Sequence, residues 1–385
     1  MLLRIARCAP GLFLLLSGAA CDGANAPVDA GGGDGGGADA SIGDAGEDAG
    51  VVDPLEARVR AASWTEVAGA PTAGGGAKQD DIFFVDPQHA FLASGPNFAI
   101  YATDDGGTTW SESFANPGTY FRAVLFTDAM HGFAGNLGAG LSPQISDATA
   151  LYRTVDGGAT WTAVTEIDGL VAPDGICNLT AADPTHLFAI GRANGPSRLL
   201  SSSDGGASWT AISLDARLMM AIDGRFTSPT EGIVVGMGPG LRCTVVRTTD
   251  GGDSFDTVFE SATPNSLCWK IDFPSDDVGF VAVQDTSTGP GTFARTMDGG
   301  ETWEELPLPM TTAYPAIGVG FLNDRIGWMA SEDASLPVYR TFDGGETWEE
   351  EPELVGPINR FRVVDEDTVF AVGASVWRLD LPAGG

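Results

Sequence analysis

Short stretches of alternating apolar and polar residues recur along most of the chain, and turns rich in Asp, Gly and Pro separate them. Ile82–Val85 is followed by the turn Asp86–His89 and a second apolar stretch, and Ala123–Phe126 is followed by the same arrangement. A period of two is typical of β-strands, and evenly spaced short strands indicate an all-β fold built from antiparallel meanders. The pattern therefore predicts an all-β chain.

One eight-residue turn occurs six times, beginning with Thr103–Trp110. Every copy has the order Ser/Thr, any residue, Asp-Gly-Gly, any residue, Ser/Thr, aromatic. The aspartate can accept bonds from backbone N–H groups across the tip, the glycines permit positive φ, and the aromatic residue offers a large surface for burial. The six aspartates, which we expect to be structural, are Asp105, Asp156, Asp204, Asp250, Asp298 and Asp343. Their spacing of about 45 to 51 residues matches one four-stranded blade.

The C-terminal repeat has three predicted strands and no copy of this turn. Its missing fourth strand is present near the other end of the chain, where Ser63–Val67 matches the strands that follow the turns. We therefore predict a single seven-bladed β-propeller over residues 57–385, closed by pairing of residues 62–68 with the last blade. Closure would remove the free sheet edges that favour aggregation.

The repeated turn resembles the Asp-box (BNR-type) repeat. With the Gly-Phe/Trp-x-x-Gly strand before it, the unit is most similar to photosystem II assembly and stability factor-like propellers. That resemblance implies a non-catalytic platform that binds protein partners at a membrane. The Asp box also implies an alternative, a sialidase-like glycoside hydrolase or a carbohydrate-binding propeller. Tyr120 and Tyr314 are the tyrosines outside the repeat positions, but no motif pairs either with a glutamate, so we expect the platform.

The first twenty residues predict an export signal, because a basic start is followed by the short apolar run Leu12–Leu16 and by small residues. Cys21 comes next, and the segment is similar to the signal of bacterial lipoproteins, which implies lipid attachment at this cysteine. We expect an exported lipoprotein held at a membrane by the lipid alone. Cleavage that releases a soluble secreted protein is the alternative, because Gly18 stands where the lipoprotein signal usually has leucine.

Residues 21–56 consist mostly of Gly, Ala and Asp, without an aromatic residue. Such a segment cannot offset the entropy of ordering, so we predict a disordered tether.

The charge is strongly one-sided, with 52 acidic and 20 basic residues and a net charge of −32. Such a surface repels phosphate backbones, which excludes general nucleic-acid binding. The predicted partner is a protein or a glycan, the predicted state is a monomer, and no cofactor is expected.

Polar residues of both signs gather on the faces of the innermost strands that should line the central channel. The candidates, with two arginines near the rim, are Asp81, Arg122, Arg217, Asp223, Arg225, Lys270, Asp272, Arg360 and Arg362. They could form ion pairs and water bridges that join the blades, or the mouth of a ligand site. In the second case Gly318 and Gly320 would leave one side of the channel open.

The loops opposite the Asp boxes are expected to carry function, since loops on a rigid scaffold commonly do. Besides Arg122 and Arg217, these loops hold Tyr120, Asp215 and Tyr314.

Histidines, Asp boxes and cysteines are the residues that could support a metal site or a disulfide. His89, His131 and His186 occupy one repeat position on neighbouring blades, too far apart for a shared ion, and most Asp boxes have too few acids for calcium. We therefore predict no metal site. Cys243 and Cys268 begin strands at the same end of the ring and could form a disulfide, which would leave Cys177 free.

Overall fold

The computed structural model describes residues 53–74, 77–171, 173–191, 196–285, 291–310 and 314–384. The predicted signal, Cys21 and the tether as far as residue 52 lie outside this part of the chain. Seven sheets form the predicted seven-bladed propeller. None of the helices in the described ranges is long and apolar enough to cross a membrane.

Each blade has four strands in a meander, running from the channel outward. Blades 1 and 2 contain β2 (Asp81–Phe84), β3 (Ala90–Ser94), β4 (Ala99–Thr103), β5 (Ser111–Ala115), β6 (Phe121–Phe126), β7 (Gly132–Asn136), β8 (Leu151–Thr154) and β9 (Thr162–Ala163). Blades 3 and 4 contain β11 (Asn178–Ala181), β12 (Leu187–Gly191), β13 (Arg198–Ser202), β14 (Trp209–Ser213), β15 (Met220–Phe226), β16 (Gly232–Met237), β17 (Cys243–Thr248) and β18 (Asp256–Glu260). Blades 5 and 6 contain β19 (Ser266–Asp272), β20 (Gly279–Asp285), β21 (Thr292–Thr296), β22 (Glu304–Pro307), β23 (Ala316–Phe321), β24 (Gly327–Ser331), β25 (Val338–Thr341) and β26 (Glu349–Glu351).

Blade 7 closes the ring as predicted. Its strands are β27 (Ile358–Asp365), β28 (Thr368–Gly373), β29 (Val376–Asp380) and the N-terminal β1 (Trp64–Glu66). Strand β1 pairs antiparallel with β29, with Trp64 opposite Leu379. The two chain ends therefore share one sheet.

The meander gives the ring two distinct ends. Each innermost strand begins at one end, which we call the mouth end. The six Asp boxes join third to fourth strands at the opposite end, which we call the box end. The turns between first and second strands also lie at the box end.

A helix and a short strand were not predicted. Helix α1 (Pro54–Ala61) starts inside the segment predicted to be the tether, with the Asp53 side chain accepting a hydrogen bond from Leu55 N at 2.9 Å. Strand β10 (Ile167–Gly169) runs parallel to β14 and gives blade 3 a fifth strand on its outer edge.

The core lies between the blades. Apolar residues that alternate with the channel-facing ones along the innermost strands are buried there, with Ile82 and Val124 fully inaccessible to solvent. Aromatic residues at the box end stack from one blade to the next: the ring centroids of Phe280 and Phe321 are 3.5 Å apart, and those of Phe188 and Phe226 are 3.6 Å apart.

Candidate functional site

The six Asp boxes share one hydrogen-bond pattern. In the first box, Asp105 accepts bonds from Thr109 N at 2.8 Å and from the Thr109 and Thr103 hydroxyls at 2.6 and 2.8 Å. The same three bonds recur in the other five boxes. These bonds lower the pKa of the box carboxylates, to about 2 for Asp204 and Asp250. Each carboxylate thus fixes its own turn.

Each of the three histidine side chains contacts an aspartate of its own turn. His89 Nδ1 lies 2.8 Å from Asp86 Oδ2, and His131 and His186 make the equivalent contact within their own turns. No cluster of three or more His, Cys, Asp or Glu that could hold a metal ion occurs among the described residues.

Four of the channel candidates meet at one level of the channel. Arg360 of blade 7 reaches across to Asp223 of blade 4, with Nη1 3.0 Å from Oδ2, and its Nε lies 3.3 Å from Asp81 of blade 1. Lys270 of blade 5 lies 3.8 Å from the same Asp223. All four side chains are buried. The channel is therefore closed at this level by two acids and two bases from four blades.

Lys270 is the least satisfied member of this group. Its ammonium makes no hydrogen bond within the described part of the chain, and neither does the buried Asn178 Oδ1 at the equivalent strand position in blade 3. Burial lowers the pKa of Lys270 to about 7, with a further contribution from Arg360. Burial alone would raise the pKa of Asp223, but Arg360 and Lys270 lower it overall.

Nearer the box end, Arg362 and Asp272 lie in the channel and bond to neighbouring blades. Arg362 pairs with Asp81 at 3.0 Å, while Asp272 accepts a hydrogen bond from Phe321 N at 2.7 Å. Burial raises the pKa of Asp272.

The interpretation of Gly318 and Gly320 as an opening was wrong. A Cβ at Gly318 would lie 2.3 Å from the Ile358 carbonyl, so this glycine allows the innermost strands of blades 6 and 7 to approach closely.

A second buried group fills the channel nearer the mouth. Arg122 bonds to Asp80 at 2.6 Å and lies over the Trp269 ring at 4.9 Å, while Trp269 Nε1 donates to Asn359 at 2.9 Å. Asn359 in turn donates to the Asp80 carbonyl at 2.7 Å. Arg122 was predicted at the rim but is only 5% exposed.

Around this buried group the mouth has a rim of accessible side chains. Lys78 lies over the Trp269 ring at 5.2 Å, and Glu332 accepts a hydrogen bond from Gln284 at 3.0 Å. Tyr120 is half-buried beside Asp80, and burial together with this acid raises its pKa well above the ordinary value. We call Lys78, Tyr120 and Glu332 the mouth rim.

The remaining candidates do not join the channel. Arg217 donates to the Phe255 carbonyl at 3.0 Å, and Arg225 pairs with Asp276 at 3.1 Å at the box end. Asp215 pairs with Arg198 on the surface. Tyr314, predicted on a functional loop, is fully buried and donates to the carbonyls of Met329 and Pro337. These placements correct the predicted mouth.

Cys243 and Cys268 form the disulfide that the sequence suggested, with a Cα–Cα distance of 4.5 Å. Cys177 is buried and is not part of this disulfide.

Sequence reasoning missed Trp269 and Asn359. Both are bulged residues in their innermost strands, as is Arg122, and a bulge places an extra residue outside the regular alternation. The one available signal was a tryptophan where the alternation predicts an interblade position.

Comparisons with known proteins find similarity to an assembly-factor family over part of the chain and to solved propellers over most of it. The family model of the photosynthesis system II assembly factor YCF48 matches residues 207–351. A structure of YCF48 bound to a D1 peptide has a TM-score of 0.60 and 17% identity, covering 84% of this chain and 95% of that one. YCF48 from Cyanidioschyzon merolae has a TM-score of 0.61 and 19% identity, covering 83% and 99%.

The chain is also similar to enzymes. Virginiamycin B lyase from Staphylococcus aureus has a TM-score of 0.62 and 14% identity, covering 83% of this chain and 99% of that one. At such identities the structural matches show the fold alone. A xyloglucanase from Paenibacillus sp is 36% identical over 81 residues, which are 17% of this chain and 8% of the xyloglucanase. The match therefore spans only a small part of that enzyme. The chain is therefore a seven-bladed propeller whose residues 207–351 match the family model of the YCF48 assembly factor.

Proposed function

We propose that this protein is an exported, lipid-anchored propeller that binds a segment of a protein partner at its mouth end, as a non-catalytic platform. The observation that carries the proposal is the mouth rim. Its members come from blades 1, 2 and 6. Lys78 and Tyr120 are near the buried Arg122–Asp80 pair, and Glu332 is near both Lys78 and Tyr120. A rim fixed from below in this way is preorganised, and preorganisation lowers the entropic cost of binding.

The chemistry of the mouth rim suits a peptide. A cation, a phenol and a carboxylate can bond to backbone amides and to side chains of either charge. The likeness to the YCF48 family supports the same class of ligand, because one YCF48 structure holds a D1 peptide.

The two tyrosines considered for sialidase chemistry argue for binding instead. Tyr314 is sealed in the core, and the pKa of Tyr120 is raised, which opposes formation of a phenolate nucleophile. Tyr120 is therefore better suited to donate a hydrogen bond to a ligand.

Site-specific photocrosslinking tests the binding proposal. A photoreactive amino acid replaces Glu332 in the mouth rim or, as the matched control, Glu301 in an Asp box at the other end; both residues are exposed. Illumination of cells should give a discrete protein adduct from position 332 and none from position 301. An equal adduct pattern at both positions, or no adduct at 332, would contradict the proposal.

Membrane anchoring is tested separately. Cys21→Ala should move the protein from the membrane fraction to the soluble fraction, while Cys8→Ala within the predicted signal should not. A wild-type protein that is already soluble, or a Cys21→Ala protein that stays in the membrane, would refute the lipid anchor and leave the mouth rim untouched.

A further inference from the structure

A polar cleft opens at the box end, between blades 4 and 5. Its volume is about 340 Å3, and its walls include Arg225, Glu231, Arg247, Phe273, Asp276 and Gly299. It lies at the opposite end of the ring from the mouth rim, so it is independent of the proposed function.

An interblade contact that two other interfaces make is absent at this cleft. In blades 5 and 7, Arg295 and Arg378 donate across the gap to the first box glycine of the next blade, at 2.9 Å to Gly344 O and 3.1 Å to Gly106 O. Arg247 is the equivalent residue of blade 4. It turns instead to Glu231 at 3.2 Å, and no described side chain donates to Gly299 O.

Two ion pairs and Asp298 supply the charged side chains that line the cleft, and the Asp298 carboxylate already accepts three hydrogen bonds within its own Asp box. Arg225 donates to Asp276 at 3.1 Å and to Ser275 O at 3.2 Å, with its guanidinium 4.9 Å from the centre of the Phe273 ring. The pair of Arg247 and Glu231 faces it. Each guanidinium and each carboxylate keeps hydrogen-bonding capacity beyond its own ion pair.

We propose that this cleft binds one ring of a neutral saccharide. Sugar hydroxyls both donate and accept, so adjacent hydroxyls can accept from a guanidinium and donate to its partner carboxylate. An anion would meet Glu231 and Asp276, and a cation would meet two guanidiniums. Phe273, which is partly exposed, supplies apolar surface for the C–H groups of the ring. The volume is at the small end for ligand pockets, which suits a single ring.

Calorimetric titration with neutral methyl glycosides tests the proposal. The probes are the methyl glycosides of glucose, galactose, mannose and xylose, with glucuronate and arginine methyl ester as charged competitors. At least one neutral glycoside should bind in the millimolar range, more tightly than either charged probe.

Two variants and one control locate the site. Asp276→Ala removes an acceptor, and Glu231→Ala frees Arg247 to reach Gly299 O and fill the cleft; each should weaken binding about tenfold or more. Asp277→Ala removes the adjacent exposed acid, which does not line the cleft, and should leave binding unchanged. Asp276 is exposed, so its loss leaves the fold intact. The proposal is overturned if no neutral glycoside binds, if arginine methyl ester binds most tightly, or if all three variants bind alike.

Discussion

Lys270 departs furthest from the ordinary chemistry of its residue type. It is fully buried, and the charged groups around it are Asp223, Asp81, Arg360 and Arg122. Burial is the main cause that lowers its pKa from 10.5 to about 7, the two arginines lower it further, and the two acids offset this only in part. The ion-pair network joins the blades, but burial of the charged Lys270 ammonium costs free energy, and this cost depends on pH.

This cost predicts a pH dependence of stability. Between about pH 7 and pH 10.5 the unfolded chain binds a proton at Lys270 that the folded chain lacks, so this group makes stability rise with pH in that window. Lys270→Met removes the effect. As the pH rises through this window, the free energy of unfolding of the wild type should increase relative to that of the variant by up to about 1.4 kcal/mol per pH unit. Urea unfolding of both proteins at several pH values measures the difference. Parallel pH profiles would show that Lys270 does not titrate in this way.

Single residues also show what a sequence can and cannot predict about the channel. The charges of Asp81, Lys270 and Arg360 were predictable because period-two alternation places them on one face. Their partners were not, because Arg360 pairs across the ring with a residue 137 positions away. Arg122 was misplaced at the rim because the bulge in its strand turns it into the channel.

Among the elements, the Asp box is the one that repeats, and its aspartate should stabilise the blade. Asp343→Ala removes the acceptor of Thr347 N and of the Thr347 and Thr341 hydroxyls. We expect a loss of about 1–3 kcal/mol in the free energy of unfolding. Glu350→Ala, which removes an exposed acid from the following strand, should change stability little. Equal losses in the two variants would mean that the box aspartate contributes only charge.

Helix α1 packs against blades 6 and 7 at the box end and should stabilise the closed ring. Val59 is buried against residues of blades 6 and 7, while Arg60 pairs with Glu349 and Arg58 with Asp367. Val59→Ala should cost about 1–3 kcal/mol by loss of buried apolar surface. The exposed Ala61→Ser, in the same helix, should be nearly neutral. Chemical unfolding distinguishes them, and an unchanged midpoint for Val59→Ala would show that the helix does not stabilise the ring.

The repeated elements were predictable and the single ones were not. Six Asp boxes at even spacing predicted the blades, because local turn chemistry fixes each copy. Helix α1 has eight residues, too few for a stable helix in isolation, and depends on the packing of Val59. Strand β10 has three residues and exists only through its pairing with β14.

At the scale of the whole molecule, the ring is closed by a sheet that contains both chain ends. Deletion of residues 376–385 removes β29, on which β1 pairs, and exposes sheet edges in blade 7. We expect loss of the cooperative fold and aggregation, because the blades support one another around a closed ring. Deletion of residues 383–385 alone should leave a folded monomer in size-exclusion chromatography. A folded protein after the longer deletion would show that the ring tolerates an open blade.

A protein partner that binds at the mouth end should leave the channel closed by its ion pairs. The most direct test is a cryo-electron microscopy structure of the protein with the partner captured by crosslinking at position 332. We expect partner density over Lys78 and Tyr120, with the Arg360–Asp223 pair intact beneath it. Density at the box end, or density threaded through the channel past Lys270, would contradict it.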